Sequence, residues 1–177
     1  MTSQHQSHDI TVKEGYMPSL IGRIVEMHAR YYSRTVGFGA IFESKVAGGL
    51  ADFIPRLERP GSAIWSLEDQ EKILGSIAID GEGAGRDVAK LRWFLIDDAV
   101  RGQGFGQALM DKALTFCDDQ AFDAVELSTF KGLDAARRLY ERHGFVLTSE
   151  QPGDQWGPVM LEQTFRRDRR RSPLSKG

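Results

Sequence analysis

A chain of 177 residues, 41% of them apolar, can bury one sizeable core and shows no composition shift that would mark a second domain. Its 23 Lys and Arg against 25 Asp and Glu give a formal net charge of -2, which argues against the basic surplus that duplex nucleic acid attracts. The single Cys117 rules out an intramolecular disulfide and a thiolate metal cluster, and no apolar run approaches the roughly 20 residues that cross a bilayer.

Residues 1–8 are polar and lack the charged start and apolar stretch of a secretory signal, so they read as a disordered segment of a cytoplasmic protein. Asp9 to Lys13 can form a short strand. Pro18-Ser19 then opens a helix with Leu20, Ile24, Met27 and Tyr31 at helical spacing. A second apolar series, Phe42, Val46, Leu50 and Phe53, predicts another helix ending near Pro55, although Gly48-Gly49 inside it costs about 1 kcal/mol per glycine. Ala63 to Leu67 and Ile73 to Ile79 read as an antiparallel hairpin joined by the turn Glu68-Asp69-Gln70-Glu71.

A glycine-containing loop, 80–87, precedes a longer buried strand in which Leu91, Trp93 and Leu95 alternate with Arg92, Phe94 and Ile96. Asp97 to Gln103 is a polar turn, and Leu109, Ala113, Phe116 and Cys117 give an apolar face to a helix starting near Gly104. Ala124 to Thr129 returns as a strand. Asp134 to Arg142 forms a helix stopped by His143-Gly144, and Phe145 to Thr148 and Pro158 to Glu162 are short closing strands. The run Arg166 to Arg171 opens a basic, solvated tail over 166–177, leaving one domain over 9–165.

The informative stretch is Arg101-Gly102-Gln103-Gly104-Phe105-Gly106, placed between a strand and an amphipathic helix. A helix start presents unpaired N–H groups and a partial positive charge, so it attracts phosphate, and glycines allow close approach. A phosphate-loop NTPase would need Lys followed by Ser or Thr after the last glycine, but Gln107-Ala108 follows Gly106. A dinucleotide loop would need its glycines tight against the strand end, and here Asp97 to Val100 intervene. The protein-kinase loop shares the glycine spacing, but its companion motifs are missing.

Arg-x-x-Gly-x-Gly after the strand resembles the coenzyme A pyrophosphate loop of the GNAT family of N-acetyltransferases. The segment Leu139-Tyr140-Glu141-Arg142-His143-Gly144-Phe145 is similar to that family's second signature, Leu-Tyr followed three residues on by Gly-Phe. The layout from Leu20 to Phe53 most resembles the acetyltransferase module found fused to MarR-type regulators. The resemblance implies an α/β fold with a mixed, mostly antiparallel sheet flanked by helices. It implies direct transfer of an acetyl group from acetyl-coenzyme A to a primary amine, with no metal. A coenzyme A binding or sensing module without transfer is the alternative.

By the same resemblance, Arg101, Gly102, Gln103, Gly104, Phe105 and Gly106 hold pyrophosphate, Phe94, Leu95 and Ile96 offer backbone to the pantetheine arm and the acetyl carbonyl, and Tyr140 protonates the leaving thiolate. Many family members carry Asn seven residues before that tyrosine, where this chain has Leu133. A neutral amine is the reactive form, so a base is required; His28, Glu126, Glu14 and Glu26 are candidates, with Tyr31 and Tyr32 beside His28. The expected partner is a small amine or amino-acid-like acceptor, with no nucleic acid and no membrane; a homodimer is common for such folds, although no seam is visible in the sequence.

Overall fold

The computed structural model describes residues 9–70, 72–82 and 87–169. In chain order the elements are β1 (Thr11–Glu14), α1 (Leu20–Val36), α2 (Ala40–Phe53), a 3-10 turn over Ile54–Glu58, β2 (Ala63–Asp69), β3 (Lys72–Asp80), β4 (Val88–Ile96), a 3-10 turn over Asp98–Val100, α3 (Phe105–Asp119), β5 (Ala124–Phe130), α4 (Asp134–Arg142), β6 (Val146–Gly153) and β7 (Met160–Asp168). Seven strands form one sheet in the order β1-β2-β3-β4-β5-β7-β6, antiparallel except for the β4·β5 pair. This is the mixed, mostly antiparallel architecture expected of the family resembled.

Each face of the sheet has its own core. Leu109, Met110, Ala113, Leu114 and Cys117 of α3 and Tyr140 of α4 pack with Trp65, Leu67, Ile77, Ile79, Val125 and Phe165 on one side. Leu20, Ile24 and Met27 of α1 and Phe42, Val46, Leu50 and Phe53 of α2 cover Ile64, Ala78 and Phe130 on the other. These are the helical periodicities legible in the sequence, buried as one stripe per helix.

β4 departs from simple alternation. Ala89 and Leu91 face the α3 core, yet after Trp93 it is Phe94 and Ile96 that face it, while Trp93 and Leu95 face α1 and α2. The cause is a β-bulge. Ser76 pairs with Leu95 and Ala78 with Arg92, so Trp93 and Phe94 both stand opposite Ile77. Trp93 takes φ 48° to accommodate the extra residue, and Ser76 Oγ donates to its carbonyl at 2.7 Å. Leu91, Trp93 and Leu95 therefore do not share a face.

Other boundaries also move outward. Glu68 and Asp69 belong to β2 rather than to the turn, with Glu68 buried and accepting from Ser66 Oγ at 2.7 Å. β6 and β7 are longer than the short strands expected, because each supplies the other's hydrogen bonds and β7 also borders β5. Arg166 and Arg167 are strand residues, not tail: Arg166 lies 2.9 Å from Glu126 and Arg167 lies 3.1 Å from Asp118. The segments 1–8 and 170–177, expected to be disordered and a basic tail, lie outside the described residues.

The two glycines inside α2 have different roles. A Cβ on the exposed Gly48 would meet nothing within 4 Å, whereas one on Gly49 would lie 2.8 Å from Arg92 Nη2 and 3.1 Å from Trp93 Cζ2. Arg92 has little room to retreat, since Nη1 is 3.2 Å from the buried Asp80 and the guanidinium stacks 4.1 Å over the Trp93 ring. Gly48→Ala should therefore stabilise the fold by about 0.5–1 kcal/mol through helix propensity. Gly49→Ala should forfeit that gain and fall below wild type in urea denaturation; equal behaviour of the two variants would contradict this packing.

Candidate active site

The parallel pairing of β4 with β5 extends only from Val88 opposite Ala124 to Lys90 opposite Glu126. Beyond it the strands diverge, while β5 stays paired to β7 as far as Phe130 opposite Glu162. The edge of β4 from Leu91 to Ile96 that faces β5 therefore lacks a strand partner, and its peptide groups must find one elsewhere. Phe94, Leu95 and Ile96 lie on this edge.

The loop beyond Ile96 builds a corner of open backbone N–H groups. Asp97 accepts from the Ala99 N–H at 2.9 Å and turns the chain. Gly102 and Gly104 follow with φ of 80° and 86°, and a Cβ on either would meet nothing within 4 Å, so the loop leaves open space above its backbone. The first hydrogen bond of α3 runs from Ala108 N to Gly104 O, and no side chain caps the helix. The N–H groups of Gly104, Phe105, Gly106 and Gln107 thus have no acceptor within the helix, and together with its dipole they fit a diphosphate. The Arg101 guanidinium is turned inward: it donates to Ile96 O at 2.7 Å, lies 2.9 Å from Asp98 and stacks 4.5 Å over the Tyr31 ring. Its side chain ties the loop to the strand end and to α1.

Between the diverging strands lies a cavity of about 230 Å³. Leu91 and Phe94 of β4 and Leu127, Ser128, Thr129 and Phe130 of β5 form its sides, and Tyr140 of α4 closes one end. Tyr140 is buried among Phe94, Phe145 and Phe165, with ring centroids 6.4, 6.1 and 5.9 Å away. Burial, and to a smaller extent Tyr31, raises its pKa above the ordinary phenol value, so at neutral pH it holds its proton. Burial likewise pushes the Cys117 thiol up to about 12; this thiol packs in the α3 core and supplies no thiolate.

Of the candidates for base and acceptor contacts, His28 and Tyr32 line the cavity. Tyr31 does not; it stands beneath Arg101 in a neighbouring depression between α1 and the end of β4. Glu126 is engaged by Arg166 at 2.9 Å, Glu26 by Arg23 and Arg30 at 3.0 Å each, and Glu14 accepts from Trp65 Nε1 at 3.2 Å; none of the three lines the cavity. Sequence reasoning missed Lys45, Lys90, Arg92, Gln155 and Trp156, all of which do. Alternation along β4 places Lys90 and Arg92 opposite Ala89 and Leu91, but nothing local announces that the β6–β7 loop brings Gln155 and Trp156 over the same opening.

His28 is buried, and its Nδ1 lies 2.8 Å from Ile24 O. A carbonyl only accepts, so in the neutral ring Nδ1 carries the proton and Nε2 is left as an acceptor. Burial pushes the pKa from 6.5 down to about 4, opposed only by that carbonyl contact. Between those values the unfolded chain binds a proton that the folded chain refuses, so this group's contribution is present above pH 6.5 and lost as pH falls toward 4. The difference amounts to about 3 kcal/mol. His28→Gln should flatten the fall of unfolding free energy between pH 7 and 4; identical slopes for variant and wild type would overturn this assignment.

Comparison with known proteins places this geometry. The family model described as acetyltransferase (GNAT) family matches residues 23–145. Human N-acetyltransferase 8B is 30% identical over 107 residues, 59% of this chain and 47% of that protein. Human N-acetylaspartate synthetase is 33% identical over 116 residues, 65% of this chain and 38% of that protein, so the chain spans less than half the length of these relatives. Among solved structures, the GNAT acetyltransferase of Staphylococcus aureus Mu50 superposes with a TM-score of 0.69 at 17% identity, covering 90% of this chain and 98% of its own. The yncA protein of Salmonella typhimurium, solved with its cofactor acetyl-CoA, gives 0.72 at 15% identity, covering 90% and 93%. These two likenesses establish the fold. With the family match extending over most of the chain, from α1 to the end of the second signature, they lead to one conclusion: this protein belongs to the acetyltransferase (GNAT) family.

Proposed function

We propose that this protein moves the acetyl group of acetyl-coenzyme A to a primary amine by direct attack in a ternary complex. The observation that carries the reading is continuity: the open N–H groups of α3, the unpaired edge of β4 and the Tyr140 hydroxyl follow one another along the path that a coenzyme with a pyrophosphate, a peptide-like arm and a thioester would take. Gly102 to Gly106 and Gln107 receive the pyrophosphate through backbone N–H groups, and Arg101 holds the loop in shape. The edge at Phe94, Leu95 and Ile96 pairs with the amides of the pantetheine arm and presents an N–H to the acetyl oxygen, where negative charge develops.

In the reaction the neutral amine nitrogen bonds to the acetyl carbon, the carbon–sulfur bond breaks, and the sulfur leaves with the bonding pair. Tyr140, protonated at neutral pH, is the donor to that sulfur. The nitrogen gives up a proton, for which the free Nε2 of His28 is the acceptor on the cavity wall. Relatives named N-acetylaspartate synthetase support an amino-acid-like acceptor.

A second reading, a coenzyme A binding or sensing module without transfer, is favoured by two observations. Leu133, at the position where the family's pattern has Asn, is packed against the α1/α2 core and its side chain supplies no polar contact, and buried His28 is a weak base.

A thiol-release assay across a panel of amines separates the two readings, since only a transferase releases thiol in proportion to acceptor. Tyr140→Phe should lower kcat on the order of 10²-fold with coenzyme A affinity nearly unchanged. Unchanged turnover would remove Tyr140 as the acid. Gly104→Val, which forces a β-branched residue to φ 86°, should weaken coenzyme A binding by about tenfold or more in a calorimetric titration, and retained affinity would displace the pyrophosphate from this loop.

A further inference from the structure

The depression beside the acceptor cavity is lined by arginines that are all neutralised. Arg23 lies 2.6 Å from Asp97, Arg34 pairs with Asp98, Arg30 is 3.0 Å from Glu26, and Arg101 is 2.9 Å from Asp98. The acceptor cavity is different. Lys45, Lys90 and Arg92 line it, and no Asp or Glu among the described residues does. Arg92 is held by Asp80, which Arg56 also grips at 2.6 Å. The side chains of Lys45 and Lys90 make no ion pair or hydrogen bond with any described residue. Glu126, opposite Lys90 in the parallel register, is turned to Arg166 instead.

The two free ammonium groups approach from different elements, Lys45 from α2 at the rim and Lys90, half-buried, from the last paired position of β4. The side chains of Phe42, Trp93, Phe130 and Trp156 line the same cavity, and a charge interaction beside such apolar walls is less screened than one in bulk water. A cationic ligand would meet uncompensated like charge there, whereas a carboxylate would supply the missing counter-charge. We infer that Lys45 and Lys90 bind a carboxylate of the acceptor, so the amine that is acetylated belongs to a small amino acid or a similar carboxylate-bearing amine, and polycationic amines are rejected. This rests on the acetyl-transfer reading for the chemistry, but not for the binding.

The test compares glycine, β-alanine, γ-aminobutyrate, L-aspartate, L-glutamate and L-phenylalanine, each with its matched carboxamide, and adds spermidine. Both thiol release and calorimetric binding in the presence of coenzyme A are measured. The expected result is at least about a tenfold preference, in kcat/KM and in Kd, for one or more acids over the matched amide, shrinking as salt is raised, with no use of spermidine. Lys45→Met combined with Lys90→Met should erase that preference while leaving coenzyme A affinity unchanged; the single variants serve if the double variant does not fold. Acid binding that depends on the lysines without any thiol release would sustain this inference and overturn transfer. Amides used or bound as well as acids, a preference that survives both substitutions, or no acid bound at all would overturn it.

Discussion

The constraint on which the rest of this molecule depends is that β4 and β5 cannot stay paired. They begin as parallel neighbours at Val88 and Ala124 and part after Lys90 and Glu126. β4 is bound on its other side to β3 across a bulge, and β5 is bound to β7 along its whole length. Each strand is thus committed to a different half of the sheet, and right-handed twist, locally increased by the extra residue at Trp93, carries the halves apart. A gap of this kind leaves peptide groups unsatisfied. A ligand that contributes amides of its own can complete the ladder, and the proposed path of the coenzyme follows this break in the sheet.

The bulge has a second effect. By reversing the parity of β4 it sends Trp93 and Leu95 into the α1/α2 core and Phe94 and Ile96 toward α3 and α4. Phe94 thereby meets Tyr140 from below, and Trp93 becomes the platform for Arg92. The buried Asp80 fixes Arg92 from one side and Arg56 completes the charge balance, holding Asp80 below the usual carboxylate range even though its burial alone acts in the opposite direction. Such a buried cluster has little net stabilising effect against its desolvation cost. Its consequence here is positional, since α2 must pass over the guanidinium closely enough that only a glycine fits at Gly49.

The site divides by the kind of group that does each job. The proposed coenzyme end is built from backbone: the helix start after Gly104 and the open edge of β4. The cavity proposed for the acceptor is built from side chains that arrive from α1, α2, β4, β5 and the β6–β7 loop. Backbone chemistry is available to any sequence that folds this way, which explains how structures only 15% or 17% identical share the frame. The acceptor end can change residue by residue without disturbing that frame, and in this chain it carries a surplus of positive charge inside aromatic walls.

By itself the sequence determined the features that local physics controls. Helical spacing gave α1, α2 and α3, the stop at His143-Gly144 gave the end of α4, and the alternating glycines after a strand, with Leu139-Tyr140 and Gly144-Phe145, marked the family. It misread β4, because strict alternation and a bulge have the same residue pattern until the neighbouring strand is known. It also assigned Arg166 and Arg167 to a tail, because their carboxylate partners are Glu126 and Asp118, more than 35 residues away. Only the tertiary structure decided which polar residues line the cavity, removing Glu14, Glu26 and Glu126 through partners already bound and bringing in Lys45, Lys90, Gln155 and Trp156. The physical reason is that a helix or a loop is fixed by neighbours in the chain, whereas a pocket is fixed by which distant elements the sheet order brings together and by which of their charges remain unpaired.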